Sequence, residues 1–243
     1  MTSINLSNLH PSFTPISHLP GAPGEGEVVL LMGDPSGSGD VPLSDAESRR
    51  AAVMASEETR LRFIAARQYL RSTLSRWLGI SASEVEIITN EHGKPRLVSP
   101  ESECTIHFSI AHSARHVAIA FSRREVGLDL ESERQVDTHS LSKRFFSAEE
   151  AVAVREAETP GFFFKLWTCR EAAIKADGKG IANLMGITKV YLDGDRGGAE
   201  LAMTIGSDTW RALHWEMREE SGLSYGALAF RERPTLISWC DLR

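Results

Sequence analysis

The chain has 243 residues, 42% of them hydrophobic and 25% charged, so it can bury a core and its composition is not that of a disordered protein. A net charge of −6 and a pI near 5.8 exclude bulk electrostatic attraction to nucleic acid, although a local basic patch stays open. The three cysteines, Cys104, Cys169 and Cys240, are widely spaced and odd in number; they fit neither a zinc site nor a disulfide framework and point to a reducing cytoplasm.

Met1 to Glu25, rich in Ser, Pro, Gly and Asn, reads as an irregular or extended lead-in. Glu27 to Met32 follows as a first strand, and its apolar run is too short for a signal segment or a membrane span. After a Gly/Ser/Asp/Pro loop over Gly33 to Pro42, Ser44-Asp45-Ala46-Glu47 has capping-box spacing and starts a helix. A second helix is expected from about Ser56 to Leu78, stopped by Gly79, with Leu61, Ala65, Tyr69 and Leu70 on an apolar stripe and Arg60, Arg67 and Arg71 on another side. Val85 to Thr89, Thr105 to Ile110 and His116 to Phe121 read as strands, with a Gly- and Pro-bearing turn at Asn90 to Pro95 and His112 in the connection between the last two.

Val126 to Glu131 is the next strand. A helical stretch begins near Thr138, and Ser147 to Glu150 is a second capping box. Thr159-Pro160 reads as an N-cap with Pro at the first helical position, opening a helix to about Asp177 that Gly178 ends. Strand-like runs recur at Ile187 to Leu192, Leu201 to Ile205, Leu213 to Met217 and Ser224 to Phe230. The order strand, helices, strands occurs twice, which predicts an α+β fold of two halves, 1–122 and 123–243, broken near Arg123.

Val126-Gly127-Leu128-Asp129-Leu130-Glu131 alternates apolar and acidic residues, so Asp129 and Glu131 share one face of the strand. A solvated strand face accounts for that pattern; so does a cation held between the two carboxylates. Glu171, on the later helix, is a third acid that completes a cage if that helix packs beside the strand. Hard oxygen ligands of this kind suit magnesium. Lys175, four residues on, shares a helical face with Glu171, as an ordinary surface pair or as a cation for a phosphate; Lys179 extends the positive charge past the helix end. His112 with Ser113, Lys94 in its tight turn, and Arg62 with Arg50 are further candidate anion contacts. Phe162, Phe163, Phe164 and Trp167 read first as core, and otherwise as the lining of an apolar tunnel. On the acids alone a magnesium-dependent phosphohydrolase is an alternative enzyme, and a basic helix alone is thin support for nucleic-acid binding.

Taken in order, these stretches resemble the 4′-phosphopantetheinyl transferase superfamily, of the long, surfactin-synthetase-activating (Sfp-like) type. The residues that carry the likeness are Arg62 to Arg67 with Leu70-Arg71, Gly93-Lys94-Pro95, Phe108 to Ser113, Gly127 to Glu131, Arg144 to Ser147 with Glu149-Glu150, Trp167 to Ala172 with Lys175, and Gly178-Lys179-Gly180. Two departures stand out: Arg170 where Lys is commoner, and Ala111 in place of a small polar residue. The resemblance implies a pseudo-dimer of two similar α+β halves with the active site in the cleft between them. It implies transfer of the phosphopantetheine arm of coenzyme A to a serine of an acyl or peptidyl carrier protein, with release of 3′,5′-ADP. Magnesium would be held by Asp129, Glu131 and Glu171, with Glu171 also a candidate base for the serine proton. Lys175 would meet the pyrophosphate. His112, Arg62 and Arg50 would contact the 3′-phosphate, Lys94 would sit near the adenine end, and Pro95, Ser113 and Lys179 would line the coenzyme site. Arg144, Phe145 and Phe146 are the candidate docking face for the carrier protein. A monomer is expected, with no nucleic acid or membrane as partner.

Overall fold

The computed structural model describes residues 13–16, 18–36, 40–98, 105–113, 115–192, 200–219 and 222–241. The lead-in up to residue 12, part of the 33–42 loop and Cys104 lie outside the described residues. In chain order the first half holds β1 (Phe13–Ile16), β2 (Glu27–Gly33), α1 (Asp45–Ala52), α2 (Glu57–Leu78), β3 (Ile87–Thr89), β4 (Pro95–Leu97), β5 (His107–His112) and β6 (Val117–Ser122). The remainder holds β7 (Val126–Ser132), α3 (Thr138–Phe145), α4 (Ala148–Glu156), α5 (Gly161–Asp177), α6 (Ile181–Leu184), β8 (Thr188–Tyr191), β9 (Glu200–Ile205), β10 (Asp208–Glu219), β11 (Gly222–Phe230) and β12 (Leu236–Asp241).

The fold is α+β. One five-stranded sheet has the order β1-β12-β2-β6-β5 and the other β7-β11-β10-β9-β8, with β3 and β4 as a separate hairpin. The alternation along each strand explains the layering. In β2, Val28, Leu30 and Met32 face a core shared with Leu128 and Leu130 of β7, Trp215 of β10 and Leu228 of β11, so the two sheets pack face to face. The intervening residues Val29 and Leu31 face outward onto Ala65, Tyr69, Leu70 and Leu74 of α2. On the far side, Ala172, Ala173 and Ala176 of α5 pack on Met203, Trp210, Ala227 and Ala229. The layers therefore run helix, sheet, sheet, helix. The last strand, β12, returns to the first sheet and pairs parallel with both β1 and β2.

The two helical layers repeat one device. In α1 the capping-box residue Glu47 closes on Ser44 and also takes the Arg71 Nε–H of α2 at 2.7 Å. Arg71 Nη1 then donates to the carbonyls of Ala82 and Val85. In α4 the capping-box residue Glu150 closes on Ser147 and takes Arg170 Nη2 of α5 at 2.6 Å, while Arg170 Nη1 donates to the carbonyl of Thr188. Each carboxylate thus caps one helix and neutralises a buried arginine of the next, satisfying charges that burial would otherwise penalise.

Several expectations need correction. Arg67 and Arg71 are buried, because Glu47 supplies their countercharge, whereas Leu61 of the expected apolar stripe is exposed. His112 is the last residue of β5 rather than a connecting residue; its register partner is Val117. Pro160 itself occupies the N-cap of α5 with no side-chain cap bond, so Thr159 lies one residue too early. β4 and β12 were not foreseen: β4 has only three residues, and β12 follows a Pro-bearing turn at the end of the chain. Phe163 and Phe164 are core, and Phe145, Phe146, Phe163 and Trp167 form one aromatic cluster.

Candidate functional site

The site forms where α5 lies on β7. Leu128 and Leu130 point into the inter-sheet core, so Gly127, Asp129 and Glu131 face α5. Gly127 makes the approach possible: a Cβ there would stand 1.9 Å from the Ala172 carbonyl oxygen and 2.6 Å from the Ala176 nitrogen. With no side chain at 127 the helix backbone settles on the strand, and Glu171 and Lys175 come down beside the acids. β5 is tied to the same strand by Ser109, whose hydroxyl accepts the Leu128 N–H at 2.9 Å. That bond carries His112 and Ser113 to the edge of the site.

Asp129, Glu131, Glu171, Lys175, Arg62, His112 and Ser113 all line one cavity of about 500 Å³. Lys175 Nζ donates to Asp129 Oδ1 at 2.6 Å, while the buried Oδ2 of Asp129 accepts no hydrogen bond among the described residues. Arg134 pairs with Glu131, and Arg62 pairs with Glu58 one turn back on α2.

The acids are electrostatically crowded. The Glu171 carboxyl is pushed up to about 7, first by burial and then by Asp129, with Glu131 adding and Lys175 and the Trp167 hydrogen bond opposing. Glu131 is also raised, by burial and by Asp129, against the pull of Arg134. Burial lowers Lys175, but Asp129 and Glu171 outweigh it and hold the ammonium above its ordinary range. His112 is held below the usual histidine range by desolvation in the cavity wall and by Lys175 and Arg62.

A second cavity, of about 270 Å³, is lined by Lys94 and Pro95 of the Gly-Lys-Pro turn, by Phe108 and Ile110, and by Lys175, which borders both spaces. Lys94 donates to the Ala176 carbonyl at 2.6 Å and Asn90 Nδ2 to the Gly178 carbonyl at 2.9 Å, so the turn caps the C-terminal end of α5. Gly178 takes φ 80°, the left-handed value a helix stop requires. Arg50 and Lys179 border neither cavity: Arg50 stacks on Phe63, and Lys179 is exposed beside Asp177 and Asp208. Phe145 and Phe146 are half-buried against Trp167, with Arg144 over Phe145.

Three residues of the site escaped sequence reasoning. Gly127 was legible as a strand residue and as part of the motif that carries the resemblance, but not as the point where a helix backbone settles on the strand. Arg134 lies three residues past Glu131, a spacing that places no pair once a strand has ended. Glu133 follows Asp129 and Glu131 in the same alternation, and its carboxylate accepts the Tyr225 hydroxyl at the cavity rim.

Among the described residues no three His, Cys, Asp or Glu side chains are closed around a common point. Protein cations occupy the acids instead. The residues present nonetheless fit a hard divalent ion: three carboxylates supply oxygen donors, one of them the partnerless Asp129 Oδ2, and the Glu131 and Glu171 carboxyls are raised by burial and by Asp129.

Residues 125–229 match the family described as the 4′-phosphopantetheinyl transferase superfamily. The chain is 38% identical over 147 residues to the 4′-phosphopantetheinyl transferase HetI of Nostoc sp., a match covering 58% of this chain and 62% of HetI. It is 31% identical over 159 residues to the 4′-phosphopantetheinyl transferase Sfp of Bacillus subtilis, covering 59% of this chain and 69% of Sfp. With the 4′-phosphopantetheinyl transferase gsp of Aneurinibacillus migulanus it shares 33% identity over 115 residues, 46% of each chain. The chain thus belongs to the 4′-phosphopantetheinyl transferase superfamily. The match spans somewhat under two thirds of HetI. Among the described residues no helix is long and apolar enough to cross a membrane.

Proposed function

We propose that this chain transfers the 4′-phosphopantetheine arm of coenzyme A to a serine of an apo acyl or peptidyl carrier protein, releasing 3′,5′-ADP. The observation that carries the reading is the meeting of Asp129, Glu131, Glu171 and Lys175 with His112 and Arg62 on one cavity wall. Carboxylates for a metal and cations for phosphate stand side by side there, as charge-neutralised phosphoryl transfer demands. The two face-to-face sheets, each with a long helix and the same glutamate–arginine device, support a pseudo-dimer whose cleft is this site, with residues 1–122 on the coenzyme side and 123–243 supplying the acids.

In this reading Asp129, Glu131 and Glu171 hold magnesium, which when bound neutralises pyrophosphate charge as the bridging oxygen leaves. Lys175 moves its ammonium from Asp129 to the pyrophosphate. His112 and Arg62, helped by Arg50, meet the 3′-phosphate. Lys94 and Pro95 form the wall at the adenine end, Ser113 lines the phosphate side, and Lys179 adds positive charge beyond the helix. Glu171 is also the candidate base for the serine proton. The acidic carrier protein docks by way of Arg144, and the enzyme works as a cytoplasmic monomer.

The test is nucleotide release. With coenzyme A, magnesium and a panel of apo carriers, 3′,5′-ADP appears only when a carrier serine is present. Release without any carrier would mark a phosphohydrolase, and no release with any carrier would overturn the proposal.

A further inference from the structure

We infer that Arg134 is a displaceable counterion on Glu131, a protein cation that a divalent ion must push aside before the acids can close on it. The inference rests on the reading above only in taking Asp129, Glu131 and Glu171 as the ligands.

Four observations carry it. Arg134 Nη1 pairs with Glu131 Oε2, one of the two oxygens of a proposed metal ligand. The arginine side chain is 56% exposed while that of Glu131 is only 18% exposed, so the cation can leave the acid without itself being buried elsewhere. Its guanidinium also lies 6.0 Å from the Phe164 ring centroid, a second contact that keeps it near the site. Finally, Arg134 lines both the cavity of the acids and an adjoining one of about 540 Å³, bounded by Gln135, Val136, Thr138 and Pro160, which gives it somewhere to go.

A guanidinium on Glu131 repels a divalent cation drawn to the same carboxylate and so weakens its binding. Lys175 plays the same part on Asp129, but it is more enclosed, and Glu171 stays within its reach when it moves. The consequence is coupling. A metal ion arriving alone must break the Arg134 pair and receives nothing for it. A metal arriving with a phosphate-bearing ligand leaves the arginine a new anion to meet. Metal and polyanion then bind more tightly together than either does alone, and by linkage each helps the other equally.

The experiment titrates Mn²⁺ into the full-length chain without coenzyme A and reads free Mn²⁺ by electron paramagnetic resonance. Arg134→Gln is expected to bind Mn²⁺ roughly three- to fivefold more tightly than the parent, the range for a partly exposed pair. Arg134→Lys should fall between them, and saturating coenzyme A should narrow the gap. Equal or weaker Mn²⁺ binding by Arg134→Gln overturns the inference. An Asp129→Ala arm separates the two readings: if Mn²⁺ binding survives that change unaltered, the acids are not the ligands and the proposed function falls first. Failure of the parent and Arg134→Gln alike to bind Mn²⁺ also overturns it, because removing the competitor should have revealed a site.

Discussion

Lys175 and Asp129 form a 2.6 Å ion pair across the contact between α5 and β7, with the aspartate almost wholly enclosed. The pair joins the helix that carries Glu171 to the strand that carries the other two acids. Among the described residues Asp129 also keeps one buried oxygen without a hydrogen-bond partner, which costs stability and leaves that oxygen available as a donor atom. Asp129→Ala should therefore leave the far-ultraviolet circular dichroism spectrum unchanged while cutting transfer by about 10²–10³-fold or more. Retention of full activity would remove Asp129 from the chemistry.

Glu171 gives a pH signature in metal-free protein. Its carboxyl titrates near 7 in the fold and near 4.5 when unfolded, so between those values the native state holds the extra proton. Stability from this group accordingly falls as pH rises through that window. Glu171→Gln removes the effect. Denaturant unfolding in the presence of a chelator should show little difference from the parent at pH 4.5 and a gain of roughly 1–3 kcal/mol above pH 7. A gain that is the same at both pH values would show that Asp129 and Glu131 do not crowd this carboxyl.

Gly127→Ala tests the approach of helix to strand. The added methyl would meet the Ala172 carbonyl and the Ala176 nitrogen, both backbone atoms that cannot step aside. Unfolding free energy should drop by at least about 2 kcal/mol, with transfer lost in the protein that still folds. Unchanged stability would mean that α5 does not rest on β7 as described.

Arg170 is a matter of stability rather than chemistry. It is fully buried, pairs with Glu150 and lies 4.5 Å over the Phe146 ring. Arg170→Met strands the Glu150 charge and should cost about 3–5 kcal/mol. Arg170→Lys keeps the charge but loses the bonds to the Thr188 and Met185 carbonyls, at about 1–2 kcal/mol. Arg71→Met in the first half should cost less than Arg170→Met, since Arg67 remains 3.8 Å from the Glu47 carboxylate. Urea denaturation measures all three, and equal losses for Lys and Met at position 170 would contradict the role given to the Glu150 ion pair.

Local signals were legible in the sequence where local physics decides them. The Ser44 and Ser147 capping boxes and the Gly79 and Gly178 stops all lie where the spacing predicts. The alternation in β7 correctly separates Leu128 and Leu130 from Asp129. What was not legible depends on partners remote in the chain. Arg67 and Arg71 look like a solvated face until Glu47, some twenty residues earlier, is seen beneath them. β12 finds its place only through β1 and β2, more than two hundred residues away. Lys94 reads as a fixed loop cation, and only the packing of the turn on α5 turns it into a helix cap. The acids and Lys175 were recognisable, but not the pairing of Lys175 with Asp129 or of Arg134 with Glu131.

Intact-mass spectrometry of an apo carrier protein, incubated with this chain, coenzyme A and magnesium, reads the proposed reaction most directly. The expected result is a gain of one phosphopantetheine on the carrier with the parent chain and none with Asp129→Ala. No gain on any of several carriers, or the same gain with the Asp129 variant, would contradict it.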